Sequence, residues 1–206
     1  MKKIMFNDRY CLTDLVLSGQ KTQTRRIVKI QYKHLNHHIT QNFKYAHVFT
    51  EQSKEDKGGV SLSLRPMFYI GEVVAVAQSY KKAYPKTDFK TNFKTTDKLA
   101  FMTQSAGWKN KMFIKPDLMP HTIKINNIRF EKLQDLNDED CIKEGVLKSD
   151  KYAMPYGIPE KAAPNGIFFY YKSPQEAYAD LMDKINGIGT WESNPYVWVY
   201  DFELVK

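Results

Sequence analysis

The densest group of chemically versatile side chains is Gly19-Gln20-Lys21-Thr22-Gln23-Thr24-Arg25-Arg26, with Lys29 just beyond it. A threonine hydroxyl is a poor nucleophile alone and needs a base to take its proton. A lysine amine is that base only when its cationic form is disfavoured, and the charges of Arg25, Arg26 and Lys29 work in that direction. Lys21 and Thr24 therefore make chemical sense as a pair. Their spacing sets a condition. In a flat strand the two positions point to opposite faces, roughly 10 Å apart, so the backbone must turn near Lys21–Thr22 for them to meet. The competing reading is a basic strand end that binds phosphate or pairs with acids.

A second group runs Leu133-Gln134-Asp135-Leu136-Asn137-Asp138-Glu139-Asp140-Cys141-Ile142-Lys143-Glu144-Gly145. Asn137 and the three acids after it read as a helix start, where a cap and negative charge suit the dipole. Glu144 is placed differently. It falls in the last turn, where the dipole disfavours a carboxylate, and such a carboxyl is suited to donating a proton. A solvated surface glutamate is the plain alternative. His34, His37 and His38 could share a helical face, but no carboxylate or cysteine follows at ligand spacing, and no metal is expected. Trp108 could stack on a base beside Lys81, Lys82 and the lysines that follow, or fill a core.

These side chains need a scaffold. Asn7 or Asp8 can cap a helix carrying Cys11, Leu12, Leu15 and Val16, which Gly19 stops. The stretch 21–28 reads as a strand, 31–59 as a polar excursion, and Val60, Leu62 and Leu64 as an alternating strand. Glu72 to Tyr80 is the best central strand. Residues 81–120 have no clean period. Thr122 to Leu133 reads as a strand with a bulge or bend at Asn126-Asn127. Residues 146–170, with five Gly and Pro, read as a loop. Ser173-Pro174-Gln175-Glu176 is a capping box opening a helix through Tyr178, Leu181, Met182 and Ile185 to Gly187. Tyr196, Trp198, Tyr200, Phe202 and Leu204 alternate on a final strand. About six strands and three helices, with few βαβ spacings, predict an α+β fold. It is a small mixed β-barrel with short helices around it, one domain over 1–206 with insertions at about 31–59 and 81–118.

Composition narrows the class. The chain has 206 residues, 42% of them hydrophobic, which is too apolar for a disordered chain. No apolar run approaches the ~18–20 residues that span a bilayer, and the N-terminal segment turns polar too soon for a signal peptide. Two cysteines, Cys11 and Cys141, make neither a disulfide framework nor a cysteine zinc site. These features predict a reduced, cytoplasmic protein with no membrane partner. The net charge of +8 is uneven, with +6 in residues 1–34, +6 in 81–111 and −4 in 112–206. That favours an anionic partner, nucleic acid being the commonest.

Gly19-x-Lys21-Thr22-x-Thr24-x-Arg26 after a short helix resembles the signature of the ASCH domains, which belong to the PUA-like β-barrels. Four later stretches resemble the longer phage- and Bacteroidetes-type members. They are Gly71-Glu72-Val73-Val74, Leu118-Met119-Pro120, the run from Ile128 to Leu136, and Trp191-Glu192-x-Asn194-Pro195-Tyr196-Val197-Trp198-Val199-Tyr200. The resemblance implies a PUA-like barrel that binds RNA or a modified nucleoside, without metal or cofactor. One small branch of the family is an N(4)-acetylcytidine amidohydrolase with a Lys base, a Thr nucleophile and a Glu proton donor. By motif these fall on Lys21, Thr24 and Glu144. Thr22, Arg25, Arg26, Lys29, Lys81, Lys82 and Trp108 are then candidate contacts to substrate or nucleic acid. The small hydrolase is about half this length. Longer members often carry a Trp-Val-Arg-Glu-Thr-Trp-like strand where this chain has Ala75-Val76-Ala77-Gln78-Ser79-Tyr80, so substrate contacts made there do not carry over. A non-catalytic nucleic-acid-binding module is the alternative to the amidohydrolase.

Overall fold

The computed structural model is α+β and describes residues 1–28, 39–42, 45–49, 61–85, 96–162 and 167–205. In chain order the elements are β1 (Lys3–Ile4), α1 (Leu12–Leu17), β2 (Gln23–Ile27), β3 (Ile39–Asn42), β4 (Tyr45–Phe49), β5 (Ser61–Leu64), β6 (Val73–Val76), α2 (Tyr80–Ala83), α3 (Thr96–Gln104), β7 (Thr122–Lys132), α4 (Asp138–Lys143), β8 (Leu147–Lys148), β9 (Tyr156–Pro159), β10 (Ile167–Tyr171), α5 (Pro174–Asn186) and β11 (Tyr196–Leu204). Three short 3-10 turns lie between α3 and β7.

The main sheet has the order β1-β6-β7-β11-β2, with β1 parallel to β6 and every other pairing antiparallel. Among the described residues it is open, with β1 and β2 at its edges. The two longest strands, β7 and β11, form its centre. The register between them slips where Asn127 faces Asp201 but Ile125 faces Phe202, leaving Asn126 as the extra residue at the expected bulge. Trp198, Tyr200 and Phe202 of β11 are buried, and so are the intervening Val197 and Val199. A strand paired on both edges is here covered on both faces, so the alternation in sequence understates its burial. The main core gathers these residues with Val74, Ile123, Phe130, Leu133, and Tyr178 and Leu181 of α5.

The strand count exceeds the expected six. The polar excursion at 31–59 contains β3 and β4, which pair with β5 as an antiparallel three-stranded sheet. The stretch read as a loop contains β8, β9 and β10, a second such sheet. In the 81–118 segment the described residues are helical rather than irregular. They close a second small core in which Ala75, Ala77, Tyr80, Met102, Ile114 and Met119 are buried.

Helix ends follow local chemistry. The Asn137 side chain accepts from the Asp140 N–H at 2.8 Å and caps α4, and Ser173 accepts from the Glu176 N–H at 3.2 Å and caps α5. The start of α1 departs from expectation. Its N-cap is Cys11, in a left-handed conformation with φ 52°. Asp8 is occupied instead with the Thr13 hydroxyl, and the Asn7 side chain accepts from the Arg9 N–H, so both hold the turn before the helix.

Candidate active site

The chain reverses immediately after α1. Gly19, at φ +74°, and the N–H groups of Gln20 and Lys21, which both donate to the Leu15 carbonyl, fold it back. The Thr22 N–H then donates to the Lys143 carbonyl, and the Thr22 carbonyl accepts from Phe202, which wedges the start of β2 between α4 and β11. Lys21 therefore precedes the strand. The Lys21 side chain is thrown against the end of α4.

There it meets Glu144. The Lys21 ammonium donates to Glu144 Oε2 at 2.7 Å and also to the Glu144 carbonyl, one of the acceptors that the end of a helix leaves open. Both side chains are buried. Burial lowers the Lys21 pKa; the Glu144 charge opposes that shift, and the charges of Arg26 and Arg25 add to it. The expectation that neighbouring cations depress Lys21 is thus met in direction, with desolvation as the larger cause.

Glu144 is held from a second side by Arg25. This guanidinium is fully buried and spans three carboxylates, with Nη2 at 2.8 Å from Glu131 and 2.9 Å from Asp140, and Nη1 at 3.4 Å from Glu144. Nη1 also donates to the Gln23 side chain. Gln23 in turn donates to Asp140 at 3.0 Å and Asp201 at 2.7 Å, and Arg129 reaches Asp201 at 2.9 Å. Burial alone would lower the Arg25 pKa, but the surrounding carboxylates raise it, so Arg25 is a permanent cation with a supporting role.

Lys21, Thr24, Arg25, Arg26 and Glu144 line one cavity of about 90 Å³. Leu12 of α1 and Leu181, Met182 and Ile185 of α5 supply its apolar wall, and Phe6, Asn7, Ile27, Tyr178 and Asn186 complete the lining. The Thr24 side chain is buried and makes no hydrogen bond to another described residue. Arg26 makes no close ion pair among the described residues, though the Glu144 charge acts on it. Its Nη2 donates to the Met5 carbonyl at 2.7 Å, and its guanidinium lies 5.6 Å from the Phe6 ring centroid. Cys141 is no competing nucleophile, because burial first of all pushes its thiol up to about 12.

The remaining predicted residues lie elsewhere or act otherwise. Thr22 serves through its backbone. Lys81 and Lys82 are exposed on α2, and Lys82 pairs with Asp14 at 2.8 Å. Trp108 is half-buried and packs against the second core. Lys29 and the histidines His34, His37 and His38 lie outside the described residues.

Sequence reasoning passed over Gln23, Arg129, Glu131, Asp201 and Tyr178. Only the alternation of Ile128 and Phe130 with Arg129 and Glu131 hinted that β7 has a charged face. Comparison of the chain with protein-family models, curated proteins and solved structures finds no match.

Proposed function

We propose that this chain is an ASCH-type, PUA-like protein that hydrolyses the acyl amide of a modified pyrimidine nucleoside or RNA base, such as N(4)-acetylcytidine. The observation that carries the reading is the buried Lys21–Glu144 pair, 2.7 Å apart, in the wall of a cavity it shares with the Thr24 hydroxyl. On this reading the five-stranded sheet is the body of the barrel, and Arg25 is a strut that holds Glu144.

The pair can exist as ammonium and carboxylate, or as amine and carboxylic acid, and the two forms differ only in which side of one hydrogen bond holds the proton. Burial disfavours the charged form of Lys21 and brings its amine within reach. In that form Lys21 takes the Thr24 proton as Oγ attacks the acyl carbon, and Glu144 gives its proton to the departing amine. Water then attacks the acyl-threonine and passes a proton to the Glu144 carboxylate, while Thr24 recovers its own from the Lys21 ammonium. The pair ends as it began.

The test is incubation with N(4)-acetylcytidine, following cytidine by chromatography. Wild type is expected to turn over and Thr24→Ala to lose turnover. No turnover by wild type across a panel of acylated nucleosides removes the reading.

A second reading, a non-catalytic nucleic-acid-binding module, draws on the exposed Lys81, Lys98 and Lys109 of the 81–111 segment. RNA affinity that falls steeply with salt, without turnover, supports that reading, since phosphate contacts release counterions.

A further inference from the structure

The β2–β11 ladder fixes which way the main chain of β2 faces. The Phe202 N–H donates to the Thr22 carbonyl and the Val28 N–H to the Tyr196 carbonyl. Both contacts follow the register that sets Thr24 opposite Tyr200 and Arg26 opposite Trp198. In an antiparallel pair the main chain turns toward its partner at every second residue. Residues 22, 24, 26 and 28 therefore face β11, while Gln23, Arg25 and Ile27 turn their N–H and C=O outward. Among the described residues β2 is the sheet's edge, and no main-chain hydrogen bond reaches Arg25 or Ile27 from that side.

The cavity lies across this edge. Successive strand side chains point to opposite faces, yet Thr24 and Arg26 from one face and Arg25 and Ile27 from the other all line it. A space reached from both faces of one strand crosses the rim of that strand. Arg25 carries a second sign. The residue is 5% exposed while its side chain is 0% exposed, so the surface it shows is main chain. Its side chain is anchored on Glu131, Asp140 and Glu144, which holds that main chain in place. Gln23 is fully buried, so the open stretch is confined to Arg25 and Ile27, roughly 7 Å along the strand. That is the length of one ring, not of an added strand.

An N–H beside a C=O asks for an acceptor beside a donor. A cytosine, acylated at N4 or not, carries that complement on one edge, where N3 accepts and N4–H donates. A uracil presents the reverse, an N3–H donor beside the O4 acceptor. We propose that the Arg25 main chain reads the base, its N–H donating to N3 and its C=O accepting from N4–H, and so selects a 4-amino or 4-acylamino pyrimidine for the cavity. The acyl group of the ligand rests on the proposed function; the preference for cytosine over uracil does not. Two donors and two acceptors would be forced together if uracil took this place, and each would be left unpaired.

The test follows amide hydrogen exchange by NMR in the wild-type chain. Without ligand, the Arg25 amide is expected to exchange at least about tenfold faster than those of Thr24 and Arg26, which donate to β11. Saturating cytidine, which carries the same edge and is not consumed, is expected to slow Arg25 at least about tenfold, and uridine to leave it unchanged. An Arg25 amide already as protected as Thr24, no protection by cytidine, or equal protection by uridine overturns the proposal. Turnover separates it from the proposed function. The 3-deaza analogue of N(4)-acetylcytidine replaces N3 with C–H, and its kcat/KM is expected to fall at least about tenfold. A loss within twofold overturns the base reading and leaves the amidohydrolase standing. Protection of Arg25 by cytidine in a chain that hydrolyses no acylated nucleoside supports the base site and removes the amidohydrolase.

Discussion

Lys21 Nζ and Glu144 Oε2 stand 2.7 Å apart with both side chains almost wholly out of solvent. One comes from the turn after α1 and the other from the last turn of α4, so the ion pair joins two helix ends that sequence separates by more than half the chain. Burying an ion pair brings little net stability, but breaking one is costly because the surviving charge is stranded.

Glu144→Gln should therefore destabilise the fold by about 3–5 kcal/mol at neutral pH, read by urea unfolding. The penalty should shrink toward alkaline pH. The folded-state Lys21 pKa lies below the ordinary 10.5. Glu144 is what holds that value up, so in Glu144→Gln it falls further; between folded and unfolded values the unfolded chain holds more protons, so stability rises with pH, and it rises more in the variant than in wild type. A gap between variant and wild type that is the same at pH 7 and pH 9.5 would count against the buried ammonium.

The same titration should appear in catalysis. The active pair carries one proton shared between Lys21 and Glu144, and losing it removes the acid that the departing amine needs, so kcat/KM for an acyl nucleoside should fall as pH rises through a midpoint below 10.5. A flat profile across that range would assign the acid elsewhere.

Arg25→Lys is predicted to be far from conservative. A single ammonium on a flexible stem cannot span Glu131, Asp140, Glu144 and Gln23 as the guanidinium fork does. A loss of about 2–4 kcal/mol is expected, somewhat less than the about 3–5 kcal/mol for removing one partner of a buried pair outright, because a cation is kept. Since Arg25 positions Glu144, kcat should fall as well. Stability within about 0.5 kcal/mol of wild type, the range of a surface substitution, would show that the network is not cooperative.

Much of the scaffold was legible because its signals are local. Asn137, Ser173, Gly19 and Gly145 each act within a few residues, and so does the bulge at Asn126. The β8–β10 sheet was hidden because β8 has only two residues and β9 contains Gly157 and Pro159, which read as turn. Lys21, Thr24 and Glu144 could be singled out by residue type and position. The Arg25 network could not, since its partners lie 106 and 119 positions away on β7 and α4.

Acid should attack the same network through Asp140. Burial pushes its carboxyl up, but hydrogen bonds from Gln23 and Arg25, with the charges of Arg25 and Arg129, hold it below its ordinary 3.8. A depressed carboxylate contributes stability that is present above the unfolded value and lost as pH falls through the folded one. Asp140→Asn should be less stable than wild type near neutrality, with the difference closing below pH 3.8. Parallel stability curves from pH 5 to pH 2 would mean that Asp140 is not held as an anion.

Gly145 is where the two halves of the site meet most tightly. Its φ is +109°, a region that side chains rarely adopt, and a Cβ there would lie 3.0 Å from Leu15 Cδ1 and 3.2 Å from Leu12 Cδ2. The Lys21 side chain is next, with Cδ at 3.7 Å. Gly145→Ala thus adds backbone strain and pushes α4 away from α1, costing about 1–3 kcal/mol. The displacement acts directly on Glu144, the preceding residue, and on its hydrogen bond to Lys21. Gly187→Ala is the control, because it shares a positive φ of +111° but its Cβ would meet nothing within 4 Å. Both variants should lose stability by denaturant titration, with Gly145→Ala losing more. Only Gly145→Ala should also lose acyl-amide turnover. Equal activity in the two would mean that the fit of α4 against α1 does not set the Lys21–Glu144 geometry.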